Sequence, residues 1–232
     1  MKPNKNSLED TFSDVLKKAN LSTLRKGVDL SGTFADAVFF AGNPIISGII
    51  GFIDFRSSFQ KYNMERKLTS FLLGIEHIPL KQREKIITKI NSSKKYQISI
   101  GERILELLDS IEAEGKPAIS GRIFAKVCSG EIDFEMCLRA WYLVKYNFYF
   151  DLVKLKDSTI NNDSDLYHTD ALLISGIINA PDYSKILDED YNKKEHLKYT
   201  LTEIGDLIIN HGMSIGKVQP FEKGKAPNTK IF

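Results

Sequence analysis

The chain has 232 residues, 42% of them hydrophobic and 27% charged, a composition that excludes a disordered chain and a many-pass membrane protein and allows one large domain or two small ones. Lys and Arg number 32 against 30 Asp and Glu, a net charge of +2, too small to mark a dedicated nucleic-acid binder by charge alone. Cys128 and Cys137 are the only cysteines, too few for a disulfide scaffold and not at a zinc spacing, which points to a reduced compartment.

Met1 to Asn6 is polar and shows no apolar core of a secretory signal. Ser7 reads as a helix cap, Glu9 and Asp10 complement the dipole of the first turn, and Phe12, Val15 and Leu16 form one apolar face. Residues 1–33 are expected to be a helical arm, broken up by Gly27 and the Ser31-Gly32 pair.

Phe34 to Phe55, reading FADAVFFAGNPIISGIIGFIDF, has seventeen uncharged residues between Asp36 and Asp54. A helix of that length covers roughly 25 Å against a hydrocarbon core of ~30 Å. Asn43-Pro44 is expected to kink or divide it. Asp36, Asn43, Ser47, Gly51, Asp54 and Ser58 recur at helical spacing as a polar stripe, and Gly48 lies beside the small pair Ser47 and Gly51. Two readings fit. One is a buried helix with small residues where helices cross. The other is a membrane-inserting helix whose stripe, Asn43, Ser47, Gly48, Gly51 and Asp54, faces a pore or a helix interface. A lone helix cannot shield such a stripe from lipid, so the second reading requires a homo-oligomer. Asp54 would then stand at a pore mouth, where a ring of carboxylates favours cations.

From Arg56 to Arg103 there are eleven Lys or Arg and four Asp or Glu. Arg56, Lys61, Arg66 and Lys67 follow the apolar segment directly, as in a cytoplasmic juxtamembrane region or an ordinary solvated helix face. Periodicity predicts helices over 59–75, from Pro79 to Ile90, over 98–114, and from Pro117 to Cys128. Asp133 caps the longest predicted helix, Phe134 to about Leu155. Its aromatic run of Trp141, Tyr142, Tyr146, Phe148, Tyr149 and Phe150 reads as a central core helix, with a ligand or stacking surface as the alternative. This helical body is expected to span 56–156.

The polar stretch DSTINNDS, Asp157 to Ser164, marks the expected boundary of a module over 157–212, followed by a tail over 213–232. Leu166 to Ile174 reads as a short helix, Leu197, Tyr199 and Leu201 alternate like a strand, and Thr202 caps a last helix over 203–210. The residues Leu172, Leu173, Gly176, Ile177, Ile178, then Tyr199, Leu201, Thr202 and Gly205, resemble the second half of winged-helix domains. That resemblance implies a helix near 166–175 as the groove reader and a wing holding Lys193, Lys194, His196 and Lys198 as the candidate site for an anionic ligand or nucleic acid. Asp163, Asp165 and Asp170 oppose duplex binding by the helix.

No phosphate loop, dinucleotide fingerprint, zinc motif or catalytic triad occurs, so neither an enzyme nor a cofactor or metal is expected. As a whole the layout resembles small bacterial proteins of phage-defence and abortive-infection loci, which begin with a glycine-rich stretch of the NPIISGIIGFIDF kind. Some such effectors, of the Hailong type, form membrane channels. The resemblance implies an oligomeric inner-membrane effector with most of the chain cytoplasmic and a soluble part that receives a nucleic-acid signal. The alternative is a soluble, cytoplasmic helical regulator or adaptor whose winged-helix module binds protein or nucleic acid. On either reading the fold is expected to be mainly α: a helical bundle, a hydrophobic N-terminal helical segment and a C-terminal winged-helix-like module with a short β-hairpin.

Overall fold

A computed structural model describes residues 8–21, 44–51, 53–96, 98–112, 115–161, 166–181 and 198–213. These residues are mainly helical, with one small two-stranded sheet, and the chain divides into two compact units, Met1–Tyr146 and Asn147–Phe232.

The first unit holds α1 (Leu8–Lys18), α2 (Pro44–Ile50), α3 (Ser58–Ile75), α4 (Leu80–Asn91), α5 (Ile100–Ser110), α6 (Lys116–Ser129) and α7 (Phe134–Tyr146). Helix starts are set by local chemistry. The Ser57 hydroxyl accepts from the Gln60 N–H at 3.2 Å, Ser99 from Glu102 at 3.1 Å, and the Asp133 carboxylate from Met136 at 2.7 Å. Gly130, at φ 80°, ends α6 in the left-handed conformation that glycine adopts without a Cβ penalty.

Helix α3 packs on α6, and α6 on α7. Gly74 and Gly121 make the first contact possible. A Cβ on Gly74 would stand 2.7 Å from the Arg122 nitrogen, and one on Gly121 would overlap the Phe71 carbonyl oxygen. Around this crossing Phe71, Phe124, Phe134 and Trp141 gather with ring centroids 6.0 to 6.4 Å apart. The Trp141 indole N–H donates to the Ser120 carbonyl at 3.0 Å, so the core's largest ring leaves no polar group unpaired.

Helix α1 packs on α4 and α5. Buried Arg83 of α4 donates to the Leu16 carbonyl at 2.9 Å and the Ala19 carbonyl at 2.8 Å, at the carbonyl end of α1. Lys116 repeats the device, its buried ammonium donating to Lys145 at the end of α7 and pairing with Glu112. A basic group at a helix C-terminus satisfies orphan carbonyls and complements the dipole.

Several expectations change here. Among the described residues no helix is long and apolar enough to cross a membrane. The described helix within Phe34–Phe55 is the seven-residue α2, only about 10 Å long. Pro44 begins it, as a residue without an N–H does, and the backbone is non-helical at Gly51 and from Ile53 to Ser57. Ile46, Ile49 and Ile50 are buried, and α2 packs on α1 and α3. The transmembrane-helix and ion-channel reading, and the inner-membrane placement with it, is therefore overturned; residues 34–43 and 52 lie outside the described set. The predicted helix from Phe134 to Leu155 is broken at Asn147-Phe148, where Phe148 is extended. Its aromatics are mostly not core. Trp141 is buried, but Tyr142, Tyr146, Phe148 and Phe150 are exposed. The helix predicted over 98–114 stops at Ser110, because Ile111 turns extended and is itself buried.

The two kinds of glycine in this unit separate on substitution. Gly121→Ala is expected to lower stability in urea unfolding by about 2–4 kcal/mol, since backbone must move. Gly48→Ala, where a Cβ meets nothing within 4 Å, is expected to be neutral or to gain up to about 1 kcal/mol in helix propensity.

Candidate functional site

In the second unit α8 (Tyr149–Ile160) is followed by α9 (Asp170–Ile174), β1 (Ile178–Asn179), β2 (Thr200–Leu201), α10 (Glu203–Asp206) and a π-helical turn, Leu207–Gly212. The sequence-based boundary at Asp157–Ser164 falls inside this unit. The strands pair antiparallel, Ile178 opposite Leu201 and Asn179 opposite Thr200.

Thr202 ties the strands to α10. Its hydroxyl donates to the Gly176 carbonyl at 2.7 Å and accepts from the Gly205 N–H at 3.0 Å, while its own N–H donates to the Ile177 carbonyl at 3.1 Å. Gly176 has φ 76°, and a Cβ on Gly205 would overlap the Ile177 carbonyl oxygen. Gly176, Thr202 and Gly205 thus serve one local purpose, bringing the start of α10 against β1.

Beside the strands His168 stacks on Tyr199, ring centroids 4.0 Å apart and 17° from parallel. Lys198 is exposed next to Tyr199; Lys193, Lys194 and His196, the other wing candidates, lie outside the described residues. Helix α9 begins at Asp170, four residues later than predicted, with the Thr169 hydroxyl accepting from the Leu172 N–H. Leu172 is fully buried, whereas Asp170 and Ala171 are exposed and Ile174 is 87% exposed.

A polar network missed at the sequence level joins α8 to the π-helical turn. The Lys156 ammonium donates to Asn210 Oδ1 at 3.0 Å, Asn210 Nδ2 donates to Asp206 Oδ1 at 2.8 Å, and His211 Nε2 lies 3.5 Å from Asp206 Oδ2. Burial lowers the Lys156 pKa and the Asp206 carboxylate opposes that shift. The Asp206–Asn210 spacing of four was the available signal. The wider π turn that presents His211 to the same carboxylate has no such signature.

The stripe candidates of the first unit lie on the outside. Ser47, Gly48, Gly51 and Asp54 are exposed, and no described element packs on the Gly48 face; Asn43 lies outside the described residues. Cys128 and Cys137 are buried free thiols. Burial pushes the Cys128 pKa up to about 12, with Arg83 acting against it, and raises that of Cys137 well above its usual value. Among the described residues no group of His, Cys, Asp and Glu could hold a metal ion.

Comparison with protein-family models, with curated proteins and with solved structures finds no match for this chain.

Two outcomes follow from this geometry. Thr202→Ala removes the cap and the strand tie together and is expected to cost about 1–2 kcal/mol in thermal or urea unfolding, with Thr202→Ser recovering most of it. At pH 8 the thiolate fraction of Cys128 is on the order of 10⁻⁴. A disulfide reagent is therefore expected to label neither cysteine in the native protein within minutes and both in urea.

Proposed function

We propose that this chain is a helical regulator or adaptor whose second unit is a winged-helix-like module that docks a protein. The element order supports the module: a short helix, a strand, a connecting segment, an antiparallel strand and a capped helix. The glycines and the threonine that carry the resemblance have the close contacts such a packing needs.

The observation that carries the choice of partner is Ile174. Where a DNA-reading winged helix offers cations and amides to base edges, α9 offers an isoleucine left 87% in water, flanked by exposed Ala171 and Asp170. A five-residue helix is about 8 Å long, too short to follow a groove, and its carboxylate is repelled by phosphate. An exposed aliphatic knob beside an acid suits an apolar pocket with a basic rim.

A photo-crosslinking residue at position 174, introduced in the cell, captures the partner covalently; the purified partner is then titrated against wild type and Ile174→Asp. The expected result is a loss of at least tenfold, about 1.4 kcal/mol, with an unchanged melting curve, because the side chain already faces water. Equal affinities, or covalent capture of DNA in place of protein, would refute the proposal.

A further inference from the structure

The outer face of α4 carries a row of lysines that no described carboxylate neutralises. Lys81, Lys85 and Lys89 stand four residues apart on a helix of twelve and are all exposed. At that spacing successive Cα positions rise by roughly 6 Å, so the row spans about 12 Å along one face. The opposite face is fixed. Arg83 is buried against the carbonyls of Leu16 and Ala19, and Ile87 and Ile90 are buried with it. The helix therefore cannot roll its charges elsewhere.

Much of the surface charge of this unit is paired. Lys17 and Lys18 pair with Asp14, Lys95 and Arg139 with Glu135, Arg103 with Glu106, and Lys126 with Glu131. Among the described residues Lys81, Lys85 and Lys89 have no carboxylate within 4.0 Å; the same holds for Lys94 in the turn that follows and for Arg56, Lys61 and Arg66, but α4 aligns three such cations on one exposed face. Glu84, between the lysines, is exposed and pairs with none of them. Like charges four residues apart destabilise a helix. The first turn of α4 also contains no acid, so Lys81 there opposes the dipole. Helix stability thus gives no reason for this pattern.

We infer that the α4 row is a docking surface for the phosphate backbone of a nucleic acid, contacted without reading its bases. Lysine is a point charge that neutralises phosphate but lacks the planar fork that reads guanine. Exposed Gln82 and Thr88 flank the row and supply hydrogen-bonding groups for phosphate and sugar oxygens. A membrane surface is the weaker fit. A helix lying in an interface buries an apolar face there, and the apolar face of α4 is turned into the core, with Ile87 and Ile90 buried, Ile86 half-buried and Leu80 at the first position 40% exposed. This surface belongs to the first unit and is independent of the protein-docking role proposed for α9.

Fluorescence anisotropy of the full chain with a labelled 30-base-pair duplex of random sequence and a 30-nucleotide single strand, across a salt series, tests the inference. Three phosphate contacts predict a dissociation constant on the order of 10⁻⁵ M, a duplex slope of about −2.7 in log K against log salt, and a loss of about 40-fold between 50 and 200 mM salt. The triple variant Lys81→Gln, Lys85→Gln, Lys89→Gln is expected to abolish that slope while its melting temperature stays level or rises, since like-charge pairs are removed. A charge-matched control, Lys18→Gln, Lys61→Gln, Lys154→Gln, is expected to keep most of it. No binding by wild type at 50 mM salt, or equal losses in the two triple variants, overturns the inference. Tighter, lysine-dependent binding to phosphatidylserine vesicles than to either oligonucleotide overturns it in favour of a membrane surface.

Discussion

The backbone-to-backbone contact of α3 and α6 is the constraint from which the first unit is built. Gly74 and Gly121 remove the two Cβ atoms that would hold the helices apart, and once they touch, Phe71 and Phe124 are carried onto the same side of the crossing. Trp141 on α7 closes over those rings and spends its N–H on the Ser120 carbonyl of α6. A glycine in a helix interior costs about 1 kcal/mol in propensity, and burying one large aromatic side chain offsets that about twofold or more. The glycines are therefore affordable only because aromatic rings fill the space beside them.

The remaining helices are oriented by a second device, basic side chains turned onto carbonyl ends. Arg83 holds the end of α1, Lys116 the end of α7, and the Lys67 ammonium stands 3.5 Å from the Asp109 carbonyl near the end of α5. Burial lowers the Lys67 pKa, while Asp109 and Glu112 pull it back up. Buried charge is costly unless hydrogen-bonded. Here carbonyls that the helices leave unpaired anyway supply the bonds, which explains how Arg83 sits inside the protein on carbonyl partners; Lys116 adds the Glu112 carboxylate to its own. The Arg83 Nε, without a partner, is what remains unsatisfied.

Local chemistry was legible in the sequence, and tertiary burial was not. The caps Asp133 and Thr202 and the helix start at Pro117, one residue after the observed Lys116, could be read from capping and proline rules because those act within a few residues. The strand at Leu201 followed from the alternation of Leu197, Tyr199 and Leu201, whereas its partner at Ile178 was implied only by the winged-helix resemblance. Phe34–Phe55 misled for a physical reason. A charge-free run of isoleucine, glycine and serine has the same hydropathy whether it spans a bilayer or lays Ile46, Ile49 and Ile50 on two neighbouring helices, and only the partners decide. The aromatic run after Trp141 misled in the opposite sense, since an all-round pattern cannot say which rings find cover. For the wing, Lys198 alone falls among the described residues, so the sequence reading of that site stands on composition. The α4 lysines were visible as a local basic excess. Their significance emerged only when the helix placed three of them on one exposed face with no described carboxylate paired with them.

The stability of α4 also shows why a charged row of this kind can be sustained there. Two like-charge pairs at a spacing of four cost roughly 0.4–1 kcal/mol in total. Against that stand the burial of Ile87 and Ile90, about 1.5–3 kcal/mol each, and two hydrogen bonds from a guanidinium, about 1.5–3 kcal/mol apiece. Anchoring exceeds repulsion severalfold, so the outward charges are held in place by the inward face. An isolated peptide of this sequence would have no such surplus and would fray, starting at the uncapped Pro79 end. A helix surface is free to carry unneutralised charge to the degree that its buried face over-determines its position, and α4 meets that condition through Arg83.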